Sequence, residues 1–215
     1  MLRRVERDAA VTSLMEAAAD QGGYVTAPQA ERLGLARDDV ARLVRSGDLR
    51  RVRRGVFGMR HAENRWEDAI AAWLHLERSI LPWERQTPLG ALSHDTAAAF
   101  HNLGTIIPGL PTLTLPPDAR RVPEAADIEV HRAPLADADW TWLDAGGVDV
   151  PVTTPARTIV DLILARHERS YLIRAVNEAL HRKLMTPDEL SETAVRRRQR
   201  SASLRADVAA LLPTA

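Results

Sequence analysis

Apolar residues recur near helical spacing through Val5, Ala9, Leu14, Met15 and Ala18, predicting a helix over 5–19. Gln21-Gly22-Gly23 then ends the run with residues that tolerate a left-handed stop. Tyr24-Val25 reads as a short extended piece. Thr26 is a good N-cap and Pro28 falls inside a first turn, which predicts a helix through Ala30, Arg32 and Leu33 that closes at Gly34. A further helix follows from Arg37 to Ser46, with Gly47 where helices commonly close. Two short helices joined this tightly form a helix-turn-helix. Leu49-Arg50-Arg51-Val52-Arg53-Arg54-Gly55-Val56-Phe57 sets apolar anchors around four arginines with a glycine at the turn, the pattern of a hairpin wing.

Beyond residue 60 the pattern is mixed. Residues 64–77 are predicted to form an amphipathic helix with Trp66, Ala69, Ile70, Trp73 and Leu74 on one side, a spacing that makes the tryptophans core residues. Ser93 is placed to cap a helix through Ala97, Phe100 and Leu103, closed by Gly104. Pro111–Leu115, Ile128–His131 and Val148–Val152 are strand candidates between turn-forming residues. Helices are predicted from Thr154-Pro155 to about Arg166, from 169 to 182, from Thr186-Pro187 to about Arg196, and from Ser203 to Leu212. The fold class that follows is α+β and mostly helical: a winged helix-turn-helix over residues 1–60, then a mixed α/β domain over 61–215 with its helical part at the C-terminal end.

Charge sharpens this division. The chain is neutral overall, with 29 basic and 29 acidic residues, but residues 1–60 carry 12 arginines against 8 acids. Residues 61–150 carry 6 basic residues against 14 acids, and residues 151–215 carry 11 against 7. A basic head on an acidic middle fits a nucleic-acid-binding module joined to a domain with another task. At 100° per residue, Val40, Leu43 and Val44 define the buried face of the 37–46 helix, and Asp38, Arg42 and Arg45 fall opposite, facing a DNA groove. Arg37 stands at the helix start. Asp38 and Arg42 are spaced i,i+4, so the acid is expected either to orient the guanidinium or to accept from a cytosine amine. Arg50, Arg51, Arg53 and Arg54 are expected to add backbone or minor-groove contacts from the wing. The other role open to them is to guard a solvated hairpin edge against pairing.

Several function classes fall away. There are no cysteines, which excludes disulfides, thiolate zinc sites and cysteine nucleophiles. The start of the chain lacks the uninterrupted apolar run of a signal peptide, and no stretch reaches the length of a membrane span, so a cytoplasmic protein is expected. Lys183 is the only lysine, and no acid-x-lysine step of a restriction-like nuclease surrounds it. Ser93-His94-Asp95 are consecutive and cannot assemble a hydrolytic relay, while His94, Asp95 and His101 diverge around a helix rather than converge on a metal. No glycine-rich phosphate loop is present. No catalytic residue, metal or cofactor is therefore assigned, and the chain is not read as an enzyme.

The order of Gly23-Tyr24-Val25-Thr26, Ala30-Glu31-Arg32-Leu33-Gly34-Leu35, Leu43-Val44-Arg45-Ser46-Gly47-Asp48-Leu49 and Arg51-Val52-Arg53-Arg54-Gly55-Val56-Phe57 resembles the N-terminal domain of AbiEi-type antitoxins of type IV toxin-antitoxin operons. The resemblance extends through Leu92-Ser93-His94-Asp95-Thr96-Ala97 and Val152-Thr153-Thr154-Pro155-Ala156-Arg157-Thr158-Ile159-Val160-Asp161-Leu162. It implies a repressor that binds double-stranded DNA at its own operator, at repeated sites, and that opposes a nucleotidyltransferase toxin. A winged-helix regulator with a ligand- or protein-binding second domain and no toxin partner is the alternative. Arg157 and Asp161, one helical turn apart, are expected to form a structural ion pair. Arg196, Arg197, Arg198, Arg200 and Arg205 crowd one end of the chain; they are either a solvated helix surface or, as the resemblance implies, a second DNA-contacting surface.

Overall fold

The computed structural model describes residues 2–119, 126–197 and 203–212. It is α+β, and the chain divides into two compact units, Met1–Leu89 with Leu143–Val150, and Gly90–Trp142 with Pro151–Ala215.

The first unit is built on a small antiparallel sheet. Helix α1 (Leu2–Ala19) leads through the Gly22-Gly23 stop into β1 (Tyr24–Thr26), followed by α2 (Ala27–Arg32), α3 (Arg37–Ser46), β2 (Leu49–Arg53), β3 (Val56–Met59) and α4 (Glu67–Leu76). The strand order is β1-β3-β2, with Val25 opposite Phe57 and Arg51 opposite Phe57 on the other side. Thr26 caps α2 reciprocally: its hydroxyl accepts from the Gln29 N–H at 3.3 Å, and the Gln29 side chain accepts from the Thr26 N–H at 2.9 Å. Leu14, Ala18, Val25, Ala30, Leu35, Val40, Leu49 and Phe57 form the core shared by the three helices and the sheet. The unit runs past residue 60, because α4 packs on β1, β2 and β3, and the segment after it is tied to α2. Gln29 donates to the Ile80 carbonyl at 2.6 Å, and Arg32 grips Glu84 with two bonds of 2.6 Å. That grip holds the Glu84 carboxyl down at about 2.

The second unit combines β4 (Ala91–Leu92), α5 (His94–Phe100), β5 (Thr112–Leu115), β6 (Glu129–Arg132), the first three residues of β7 (Trp140–Asp144), the last three of β8 (Asp149–Thr153), α6 (Pro155–Leu164), α7 (Arg169–His181), α8 (Pro187–Arg196) and α9 (Leu204–Ala209). The sheet order is β6-β5-β4-β8-β7, with β4 antiparallel to β5 and parallel to β8, and β5 parallel to β6. Ile159, Val160, Leu162, Leu172, Val176, Leu190, Leu204 and Val208 pack the helices into one apolar core. Two expectations change here. Ser93 occupies the N-cap position of α5 but its hydroxyl makes no cap; it lies 2.9 Å from His94 Nδ1 and accepts from Thr114 at 2.9 Å. The helix then stops at Phe100, short of Leu103, because Asn102 already adopts a left-handed φ of 52° before Gly104.

Candidate nucleic-acid interface

Helix α3 is closed at both ends. Its Asp39 carboxylate accepts from the N–H of Ala36 at 3.2 Å, and Gly47 closes it at φ 79°, donating back to the Leu43 and Val44 carbonyls. Val40 is buried and Leu43 and Val44 pack on the core, which leaves Arg37, Asp38, Arg42 and Arg45 exposed along one face. The guanidinium of Arg42 pairs with Asp39 at 3.2 Å. Of the two roles expected for Asp38, orienting Arg42 falls to Asp39 instead: Asp39 is already fixed by its bond to the Ala36 N–H, one turn back and facing the path of the Arg42 side chain, which leans toward the helix N-terminus.

The wing arginines separate by strand alternation. Leu49 is 1% exposed and faces the core of the helices, and Arg51 shares its side, lying over the Phe57 ring at 5.7 Å. Arg50 points to the opposite side. There it pairs with both oxygens of Glu67 on α4, one contact being 3.0 Å, and the same carboxylate accepts from the Tyr24 hydroxyl at 3.1 Å. Burial and the Glu67 charge push the Tyr24 hydroxyl up to about 12. Arg50 therefore anchors the wing to α4, on the side of the sheet opposite Arg51. Arg53 is half-buried beyond an irregularity in the β2–β3 register, and Arg54 is exposed at the turn, next to Gly55 at φ 79°. The open face of α3 thus carries Arg37, Arg42 and Arg45, and Arg51 and Arg54 are exposed on the wing.

The stretch that builds this face is the one that matches known proteins. Residues 13–59 match the family described as transcriptional regulator, AbiEi antitoxin. The AbiEi resemblance is thereby shown for the helix-turn-helix and wing. The match supports a DNA-binding regulator. No curated protein matches the chain. Among solved structures, the crystal structure of the RV2827C protein from Mycobacterium tuberculosis is similar at a TM-score of 0.61 and 18% identity, covering 97% of this chain and 76% of that one, a likeness of fold. Among the described residues, no helix is long and apolar enough to cross a membrane.

The C-terminal arginines outside the AbiEi match have a different character. Arg196 reaches Asp139 at 3.2 Å and Thr193 at 2.9 Å, and Arg197 reaches Asp161 at 3.2 Å. Both are engaged by acids of the second unit, Arg196 while still 38% exposed, rather than standing in a freely solvated helix surface; Arg205 is exposed, and Arg198 and Arg200 lie outside the described residues. The two acids they meet are held by Arg157, which bonds Asp161 at 2.8 Å, Asp139 at 2.8 Å and the Pro134 carbonyl at 2.8 Å. Arg157 and Asp161 are each 0% exposed. The expected ion pair forms, and it is the buried centre of a five-membered charge network that reaches the surface at Arg196 rather than an isolated helical pair. His94, Asp95 and His101 go to separate partners: the His131 ring, stacked at 3.9 Å, the His167 imidazole at 2.9 Å, and the Thr153 carbonyl at 2.7 Å.

Proposed function

We propose that this chain is a DNA-binding antitoxin that represses its own operon and opposes a nucleotidyltransferase toxin encoded beside it. The observation that carries the reading is the coincidence of the AbiEi-matching stretch with the exposed arginines of α3 and the wing. Helix α3 enters the major groove, where Arg42 and Arg45 reach base edges and Arg37 approaches a phosphate at the helix start. Arg51 and Arg54 contact the backbone beside it. The zero net charge of the whole chain does not oppose this role, because the basic surplus is concentrated in the first 60 residues.

The test has two arms. Purified full-length protein is titrated onto duplex DNA from upstream of its own reading frame, and the paired variant Arg42→Ala/Arg45→Ala should lose the preference for that DNA over random duplex. Co-expression with the neighbouring nucleotidyltransferase-like frame should rescue growth. Equal affinity of the wild type for upstream and random DNA would overturn the repressor reading; no rescue would overturn the antitoxin reading alone.

A further inference from the structure

The recognition face contains one acid that does more than close a helix. Asp39 uses one carboxylate oxygen to accept from the Ala36 N–H at 3.2 Å and the other to hold Arg42 Nη1 at 3.2 Å. The acid is thus tied to the start of α3, and the guanidinium is tied to the acid. With Nη1 engaged, the Nε–Nη2 edge of Arg42 remains, two parallel N–H donors that match the O6 and N7 acceptors of guanine in the major groove. The Arg42 side chain is 53% exposed and the Asp39 side chain is 20% exposed, so the reading edge is accessible while its support is largely covered.

Resting on the reading of α3 as a recognition helix, we propose that Asp39 is a positioning residue that orients Arg42 to read one guanine. A free arginine samples many rotamers, and ordering one on binding costs affinity at every site; a pre-oriented fork loses less and tolerates fewer partners. Asp39 also carries a negative charge close to the phosphates. Its removal therefore relaxes base choice while leaving attraction to DNA in general intact or stronger, whereas loss of a mere helix cap would weaken all binding alike.

The experiment selects binding sites for the full-length chain from a random-sequence duplex pool, then measures affinities on the selected site, on each single-base-pair change, and on random duplex. The wild type should show a guanine preference that Arg42→Ala abolishes, a loss of roughly 5- to 100-fold in discrimination at that base pair. Asp39→Ala should reduce discrimination at the same base pair by about fivefold or more, leave the other positions within about twofold, and not weaken random-duplex binding. Asp39→Asn, which keeps an oxygen for the Ala36 N–H, should fold like the wild type and show intermediate discrimination. Unchanged discrimination in the folded Asp39 variants, or uniform loss on all sequences including random duplex, would overturn the positioning role. A wild type that binds DNA without selecting a guanine through Arg42 also overturns it. A wild type that binds no DNA removes the recognition-helix reading itself.

Discussion

Arg50 and Glu67 are 17 residues apart and meet as a two-pronged ion pair that pins β2 of the wing to α4. The pair separates anchoring from binding among the wing arginines. Arg50→Ala should lower the stability of the first unit by about 1–2 kcal/mol, less than a fully buried charge pair because Arg50 is 37% exposed. It should leave the salt dependence of DNA binding unchanged. Arg51→Ala or Arg54→Ala should each make the slope of log affinity against log salt shallower by about 0.9. Denaturant unfolding and salt titration on the same preparations separate the two effects; a shallower slope for Arg50→Ala would place it on the DNA.

The fragment limits follow from the same geometry. A chain ending at residue 60 strips Arg50 of Glu67, Arg32 of Glu84 and Gln29 of the Ile80 carbonyl. It leaves polar groups designed for partners facing water and removes α4 from the back of the sheet. We expect a 1–89 fragment to melt cooperatively and a 1–60 fragment to show no cooperative transition by circular dichroism. A sharp transition for 1–60 would make α4 dispensable.

These contacts also mark where sequence reasoning reached its limit. The ends of α2 and α3 were legible because Thr26, Pro28 and Gly47 act locally, and the wing was legible from apolar anchors around a glycine turn. Which acid serves Arg42 was not, because Asp38 and Asp39 both lie within a turn of it and only the bond to Ala36 decides. Arg50 was indistinguishable from Arg51 until the strand alternation had a partner on each side. Strand β4 has two residues and carries no period of its own, while β7 hid its alternation in Trp140-Thr141-Trp142. The burial of Arg157 depends on Asp139, 18 residues earlier in a turn, a distance no helical spacing rule spans.

Arg157 should be the most sensitive polar residue in the second unit. Arg157→Met leaves Asp139 and Asp161 buried with fewer partners, and removal of one side of such a pair typically costs about 3–5 kcal/mol. Arg197→Ala, which takes one bond from Asp161 at a half-buried position, should cost less. Chemical unfolding followed by a probe in the second unit orders the two variants. A milder effect for Arg157→Met than for Arg197→Ala would mean that the network is organised around the C-terminal end of α8 instead.

The same network sets the expectation for the arginines at the end of α8. Because Arg196 and Arg197 bond Asp139 and Asp161, their joint replacement by alanine should destabilise the second unit while leaving the salt slope of DNA binding where it was. The slope is to be measured on a complete operator at a temperature where the variant is folded. A slope shallower by about one unit per residue would return both to a DNA surface.

His94 gives the second unit a pH dependence with a definite sign. It is 7% exposed, its ring stacks on His131 at 3.9 Å, and its backbone holds a left-handed φ of 51° that few side chains adopt. Burial pushes its imidazole down to about 4; Asp161 favours the protonated form, and His131, Arg157 and Arg197 oppose it. The hydroxyl of Ser93, which accepts from Thr114, is placed to donate to Nδ1 and so supports the neutral ring. In the unfolded chain the imidazole titrates near its ordinary value of 6.5. Between the two values the unfolded chain binds the proton more tightly, so stability is complete above about pH 6.5 and declines as pH falls toward 4. The loss attributable to His94 is of order 3 kcal/mol at the acid end. Unfolding free energies of wild type and His94→Gln measured from pH 7.5 to 4.5 isolate this contribution from that of the carboxylates. The wild type should lose more stability than the variant across that interval, and parallel curves would show that the His94 ring is free to protonate in the folded state.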